Sequence, residues 1–166
     1  MPFQDSANPL GAGNEQPRYG GAILNFAATK TTLPTVGMIV MLKAWTTQAT
    51  LGDWTGATPP PLAYAIKCPD NAGARIHGVC VGGSTLGTNP VKGGLVMVQT
   101  EGIAQVQMFG ATTAFHSIII TTAHPGNGKD SATPVAGKTL GLLLQTRATA
   151  TTPHHNHLIT ACIQKV

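Results

Sequence analysis

At 166 residues the chain is long enough for one domain with a buried core and short for two comfortable ones. A hydrophobic share of 42% argues against disorder of the whole, while charged residues reach only 10%, against about 25% in an average soluble domain. Thr, Gln, Asn, Gly and Ala must then cover the exterior, which suits a surface largely covered by copies of itself or by a partner.

Residues 1–21, MPFQDSANPLGAGNEQPRYGG, carry Pro2, Pro9 and Pro17 with little periodicity and read as an extended N-terminal arm without a core of its own. Residues 22–166 read as a single all-β domain. Strand-like runs follow one another at Ala22–Ala27, Met38–Trp45, Leu62–Cys68, Arg75–Val81, Leu95–Thr100, Ile103–Phe109, Ser117–Thr122, Thr139–Arg147 and Leu158–Lys165. Gly52–Pro61, Pro69–Gly73, Gly82–Gly94 and the polar stretch Pro125–Pro134 separate them as loops. Short runs with Gly- and Pro-rich breaks predict a compact β-barrel or a sandwich.

In Ile103–Phe109, Ala104, Val106 and Met108 alternate with Gln105 and Gln107, the period of a half-buried strand. Glu101-Gly102 is the only break before it, so a hairpin is expected there, with Gly102 supplying a positive φ. Ala111–His116 allows a helical turn. The leucines of Thr139–Leu144 would suit a helix, but Thr-rich flanks and nearby glycines favour a strand. No repeat period stands out, although Gly78-Val79-Cys80-Val81 and Gly141-Leu142-Leu143-Leu144 occupy similar settings.

The best metal candidate is Pro153-His154-His155-Asn156-His157, where an extended chain would project His155 and His157 from one face. A third ligand would come from His77, His116, His124 or Cys162. The spacing matches no zinc pattern, and a polar loop leading into the last strand is the simpler reading. Gly137-Lys138-Thr139 ends like a phosphate-binding loop, but Ala132 stands where that motif needs glycine. Ser84 in Gly82–Gly87 falls short of a nucleophile elbow, because Leu86 replaces the second glycine. The acids are Asp5, Glu15, Asp53, Asp70, Glu101 and Asp130, and no two pair in sequence. Asp53, Asp70 and Asp130 lie in turn-like segments, where Asp serves the backbone. No catalytic, cofactor-binding or metal-ligating residue is assigned, and the chain is expected not to be an enzyme. Trp45 and Trp54 flank a loop as core or interface anchors.

The net charge is +4, but the ten basic residues are scattered singly and aromatics are 5% of the chain, so no nucleic-acid track is expected. Cys68, Cys80 and Cys162 lack C-x-x-C spacing and read as reduced thiols. MPFQDSANPL lacks the basic flank and apolar stretch of a signal peptide, and no apolar run approaches the roughly 20 residues of a membrane helix. Synthesis and assembly in a cytoplasm, away from membranes, is the expectation.

Val36-Gly37-Met38-Ile39-Val40, Ile76-His77-Gly78-Val79-Cys80-Val81, the run from Gly94 to Val106, and Gly137-Lys138-Thr139-Leu140-Gly141-Leu142-Leu143 before a final β-run follow a recognisable order. Over about residues 34–166 this order resembles the small capsid decoration, or cement, proteins of tailed bacteriophages. The chain departs from them in its Pro- and Trp-bearing loop at 50–61 and its His-rich insertion at 153–157. The resemblance implies a compact barrel-like or tulip-like domain forming homotrimers on the outer surface of an expanded head. There it would clamp neighbouring major capsid protein subunits, with no catalytic residues and no cofactor. Residues 1–21 would order against the capsid or an adjacent copy. The competing expectations are a tail-tube, fibre or head-fibre subunit, and a metal-dependent enzyme or glycan-binding module built on the His cluster or Trp45 and Trp54.

Overall fold

The computed structural model describes residues 23–28, 33–44, 64–67, 76–91, 94–120, 124–148 and 157–164. The expected arm at 1–21, Trp45, Trp54, the Gly52–Pro61 and Pro69–Gly73 loops and His154–Asn156 lie outside these residues. Every regular element among the described residues is a strand: β1 (Ile23–Ala28), β2 (Ile39–Ala44), β3 (Tyr64–Lys67), β4 (Ile76–Gly82), β5 (Leu95–Gln99), β6 (Gly102–Phe109), β7 (Ser117–Ile120), β8 (Gly128–Ser131), β9 (Thr139–Leu143) and β10 (His157–Ile163). The protein is all-β, as its alternation and turn chemistry predict. The architecture is that of barrels rather than a sandwich.

There are two barrels. β1–β5 close one in the order β1-β3-β2-β4-β5, and β6–β10 close another in the order β10-β6-β8-β7-β9. Shifting the first circuit by five strands reproduces the second. The first and third strands of each unit run parallel, and every other pairing is antiparallel.

The register repeats as well. Val40 faces Gly78, then a bulge slips past His77 so that Met41 faces Ile76. In the second unit Ile118 faces Gly141, then a bulge slips past Leu140 so that Ile119 faces Thr139. Cys80 opposite Val98 corresponds to Leu143 opposite Ala161, and Met41 opposite Lys67 to Ile119 opposite Lys129. The chain is thus a tandem of one five-stranded unit. The lookalike segments at Gly78 and Gly141 are its equivalent fourth strands. In both, the glycine is required by close packing, since a Cβ would strike the carbonyl oxygen of Gln99 or of Cys162 on the adjacent strand.

The interiors correspond residue for residue. Val40, Cys80, Val96 and Val98 fill the first barrel, and their equivalents Ile118, Leu143, Ile159 and Ala161 belong to the core of the second. Each large apolar side chain so buried contributes about 1.5–3 kcal/mol. Ile39 and Val79, on the opposite face of β2 and β4 from Val40 and Cys80, leave their own barrel's interior and join the core cluster of the second barrel. Alternation along the strand thus lets β2 and β4 serve two cores at once.

Two local expectations change. The Leu95–Phe109 pair is not a hairpin: β5 pairs with β1 and β4, whereas β6 pairs with β10 and β8. Thr100-Glu101 is a link between barrels, and Gly102 at φ +86° turns the chain from one into the other. Buried Gln99 fastens the link, its Nε2 donating to the carbonyls of Glu101 and Ile103, each at 2.9 Å. Both ladder edges of β5 are already claimed, one by the preceding strand β4 and one by distant β1, which the local pattern at Glu101-Gly102 does not reveal. Pro125–Pro134 is not a loop throughout. It contains β8, which pairs in parallel with β6 and antiparallel with β7. Gly128-Lys129-Asp130-Ser131 lacks β-branched residues and alternation. It is held because Gly128 lets the backbone approach Ile118 and Met108, where a Cβ would lie 2.6 Å from each. At Ala111–His116 the chain forms a turn, with no helix.

Candidate functional site

The residues weighed as chemical groups are dispersed. His157 opens β10 opposite Met108, and His77 is the bulged residue of β4. The His124 ring stacks on Phe109 at 3.5 Å, and Cys162 is half-buried on β10. Among the described residues no group of three or more His, Cys, Asp or Glu is placed to hold a metal ion. Ser84 is exposed in a loop whose ends are drawn together by the Gly83 N–H to Thr88 carbonyl and Gly87 N–H to Val81 carbonyl bonds. Thr139 spends its hydroxyl on a turn: Oγ1 accepts from the Val135 N–H at 2.8 Å and donates to the Val135 carbonyl at 3.0 Å. Glu101 is exposed on the link between barrels.

The most constrained surface feature is the turn before β7. Its backbone N–H groups are held one after another: Thr112 by the Arg147 carbonyl (2.9 Å), Phe115 by the Leu143 carbonyl (2.8 Å) and His116 by the Thr113 carbonyl (3.2 Å). The Thr113 N–H donates to Asp130 Oδ2 at 2.5 Å, and the Ala114 N–H to Thr146 Oγ1 at 2.9 Å. Asp130 Oδ1 also lies 2.6 Å from His116 Nδ1. On this pedestal Phe115 adopts φ +67°, the only non-glycine among the described residues at positive φ. That conformation costs an L-residue about 1–2 kcal/mol. The side chain is 77% exposed. Beside it lies a recess of about 300 Å³ whose lining, including Ser117, Pro134, Leu142 and Gln164, carries no charge. Leu142 is 40% exposed, and Val135, Leu144 and Leu158 are exposed apolar residues of the same barrel.

The tandem gives this turn a counterpart. Thr35-Val36-Gly37-Met38 precedes β2 as Thr113-Ala114-Phe115-His116 precedes β7, with the same bonds: Gly37 N–H to the Cys80 carbonyl (2.8 Å), Met38 N–H to the Thr35 carbonyl (3.0 Å) and Cys80 N–H to the Met38 carbonyl (2.8 Å). Gly37 takes φ +90°. The position equivalent to Phe115 is therefore a glycine. Around it the outer face of β2 and β4 is closed, with Ile39 and Val79 at 0% exposure, because it is pressed against the second barrel. The Gly37 carbonyl accepts from the Gln107 N–H at 2.7 Å, and the Ile39 N–H donates to the Gly126 carbonyl at 2.8 Å. Gln107 Nε2 donates to Thr35 Oγ1 and the Val36 carbonyl. Ser117 and Leu142, the equivalents of Ile39 and Val79, line the recess instead. The recess is thus the second barrel's counterpart of the inter-barrel joint. Sequence reading missed Phe115; an aromatic among Thr-rich turn residues was its one available signal.

No protein-family model matches the chain, and no curated protein matches it. The chain is similar to a solved structure of the N base of the head fiber gp8.5 of bacteriophage phi29, at 12% identity and a TM-score of 0.48, over 86% of this chain and 95% of that one.

Proposed function

We propose that this chain is a non-enzymatic structural component of a tailed-phage virion. It binds the outer surface of an expanded head as a homo-oligomer and stabilises the lattice of the major capsid protein. The observation that carries this reading is a surface built for contact: on a chain with 10% charged residues, six large apolar side chains among the described residues are exposed. They are Val91, Phe115, Val135, Leu142, Leu144 and Leu158. Phe115 and Leu142 of these meet at one recess, and exposed apolar side chains gathered in that way mark an interaction surface. The residue order from Val36 to Leu143 and its resemblance to cement proteins supply the partner. Many copies on one shell would make weak single contacts effective.

Co-sedimentation of the purified protein with expanded and unexpanded heads of its phage tests this, with a version lacking residues 1–21 alongside. Saturable binding to expanded shells at a fixed ratio to the major capsid protein is the expected result. Loss of binding on truncation would assign the arm. Absence of binding to either shell overturns the reading in favour of a tail or fibre subunit or a glycan-binding module.

A further inference from the structure

We propose that the Phe115 turn and the recess beside it form one half of a head-to-tail contact, whose other half is the β1/β5 outer face of a second copy of this chain. The proposal deepens the oligomeric reading given above and rests on it.

The argument is continuity with the joint inside the molecule. There, the turn at Gly37 and the β2/β4 outer face of the first barrel press on the second barrel. Gly37 is received by Gln107 of β6 and Leu158 of β10. Advancing this relation by one unit brings the turn at Phe115 and the β7/β9 face against a further barrel. The next barrel in such a series is the first barrel of another copy, which presents β1 and β5 where the second presents β6 and β10.

The residues at the meeting point change in a compensating way. Gln107 pairs with Leu158 in the second barrel, and their equivalents Ala27 and Leu95 pair in the first. The position that receives Gly37 within the molecule is a glutamine; its register equivalent in the first barrel is Ala27, and a leucine lies opposite it in both barrels. A side chain at Gly37 is barred because its Cβ would overlap Leu158 Cδ2 and lie 3.0 Å from Gln107 Cγ. The receiving strand is also more apolar: half-buried Leu95 and Met97 of β5 stand where β10 carries Leu158 and Thr160. None of the eight residues lining the recess is charged, which fits an apolar face and gives a polyanion no purchase.

The rigid pedestal also fits this role. An aromatic held in one backbone conformation before contact loses little freedom on binding, and such residues are typical interface hot spots. A contact between two different faces of one chain propagates, and it closes into a ring when the rotation between copies allows.

The test is sedimentation velocity of the full chain over a dilution series without capsid shells, for wild type, Phe115→Gly and Leu95→Arg, with Met97→Lys as a second change on the receiving face. Near-UV circular dichroism checks that each variant is folded. Wild type is expected to assemble, and each variant to do so at least about thirty-fold more weakly, as loss of a hot-spot residue entails. A mixture of Phe115→Gly with Leu95→Arg retains one intact turn and one intact face, and is expected to stop at dimers. A wild type that stays monomeric overturns the proposal, as does a turn variant that assembles normally or a mixture that forms no dimer. If shells bind the monomer and Phe115→Gly abolishes that binding, the turn's partner is the shell. The proposal then fails while the reading of the protein as a capsid-binding component survives.

Discussion

One backbone turn is built twice in this molecule, with opposite consequences. Before β2 it carries Gly37, is buried, and fastens one barrel to the other. Before β7 it carries Phe115, keeps the same backbone bonds, and projects its side chain into solvent. The folding requirement is identical at both places, since both need a residue at positive φ. Glycine meets it without strain. Phenylalanine meets it only because the Leu143 carbonyl holds its own amide while Asp130 and Thr146 hold those of Thr113 and Ala114. The difference separates what the unit needs in order to fold from what the second copy of it has been given to do.

Making the first turn resemble the second is the harshest way to break this comparison. Gly37→Phe places a side chain into Leu158 and Gln107 and adds left-handed strain. We expect a loss of about 4 kcal/mol in chemical denaturation, from overpacking and strain together. Next, Gly141→Ala and Gly78→Ala, at equivalent positions, drive a Cβ into the carbonyl oxygen of the adjacent strand. Each should cost about 2–3 kcal/mol, and similar losses would sharpen the equivalence of the two units. A large disparity would count against it.

Removing the pedestal is milder. Asp130→Ala frees the Thr113 N–H and the His116 ring. It should cost about 1–2 kcal/mol and accelerate amide hydrogen exchange at Thr113 while leaving Met38 unchanged. The smallest effect has the opposite sign. Phe115→Gly relieves the positive φ and should stabilise the chain by about 1 kcal/mol, seen as a higher melting temperature measured at low protein concentration.

Much of the fold was legible in the sequence, and the reasons for the remainder are physical. The alternation of Ala104, Val106 and Met108 with Gln105 and Gln107 gave β6 and its buried face. Nine of the ten strands overlap runs read from β-prone residues and Gly/Pro breaks, with β1, β4, β6 and β10 each overrunning by one residue, and Thr139–Leu143 is a strand rather than a helix. β8 escaped because Gly128-Lys129-Asp130-Ser131 owes its place to the room its glycine leaves, a property of its neighbours rather than of itself. The tandem escaped because equivalent positions share a place in the register but seldom identity or size: Val40 and Ile118, Cys80 and Leu143, Ile66 and Gly128. The separation between equivalents also varies with loop length, so no fixed period exists to detect. The Phe115 turn was invisible for a third reason. Its meaning lies in a contrast with Gly37, and that contrast exists only once the two units are superposed in register.

Closure of both sheets has a consequence for how such molecules behave when crowded. Each barrel completes its own circuit of backbone hydrogen bonds, so among the described strands no open ladder remains for another chain to zip onto. Where these strands meet another copy, contact proceeds by side chains meeting side chains. Copies packed at high local density can touch, exchange and separate again without adding strands to one another's barrels.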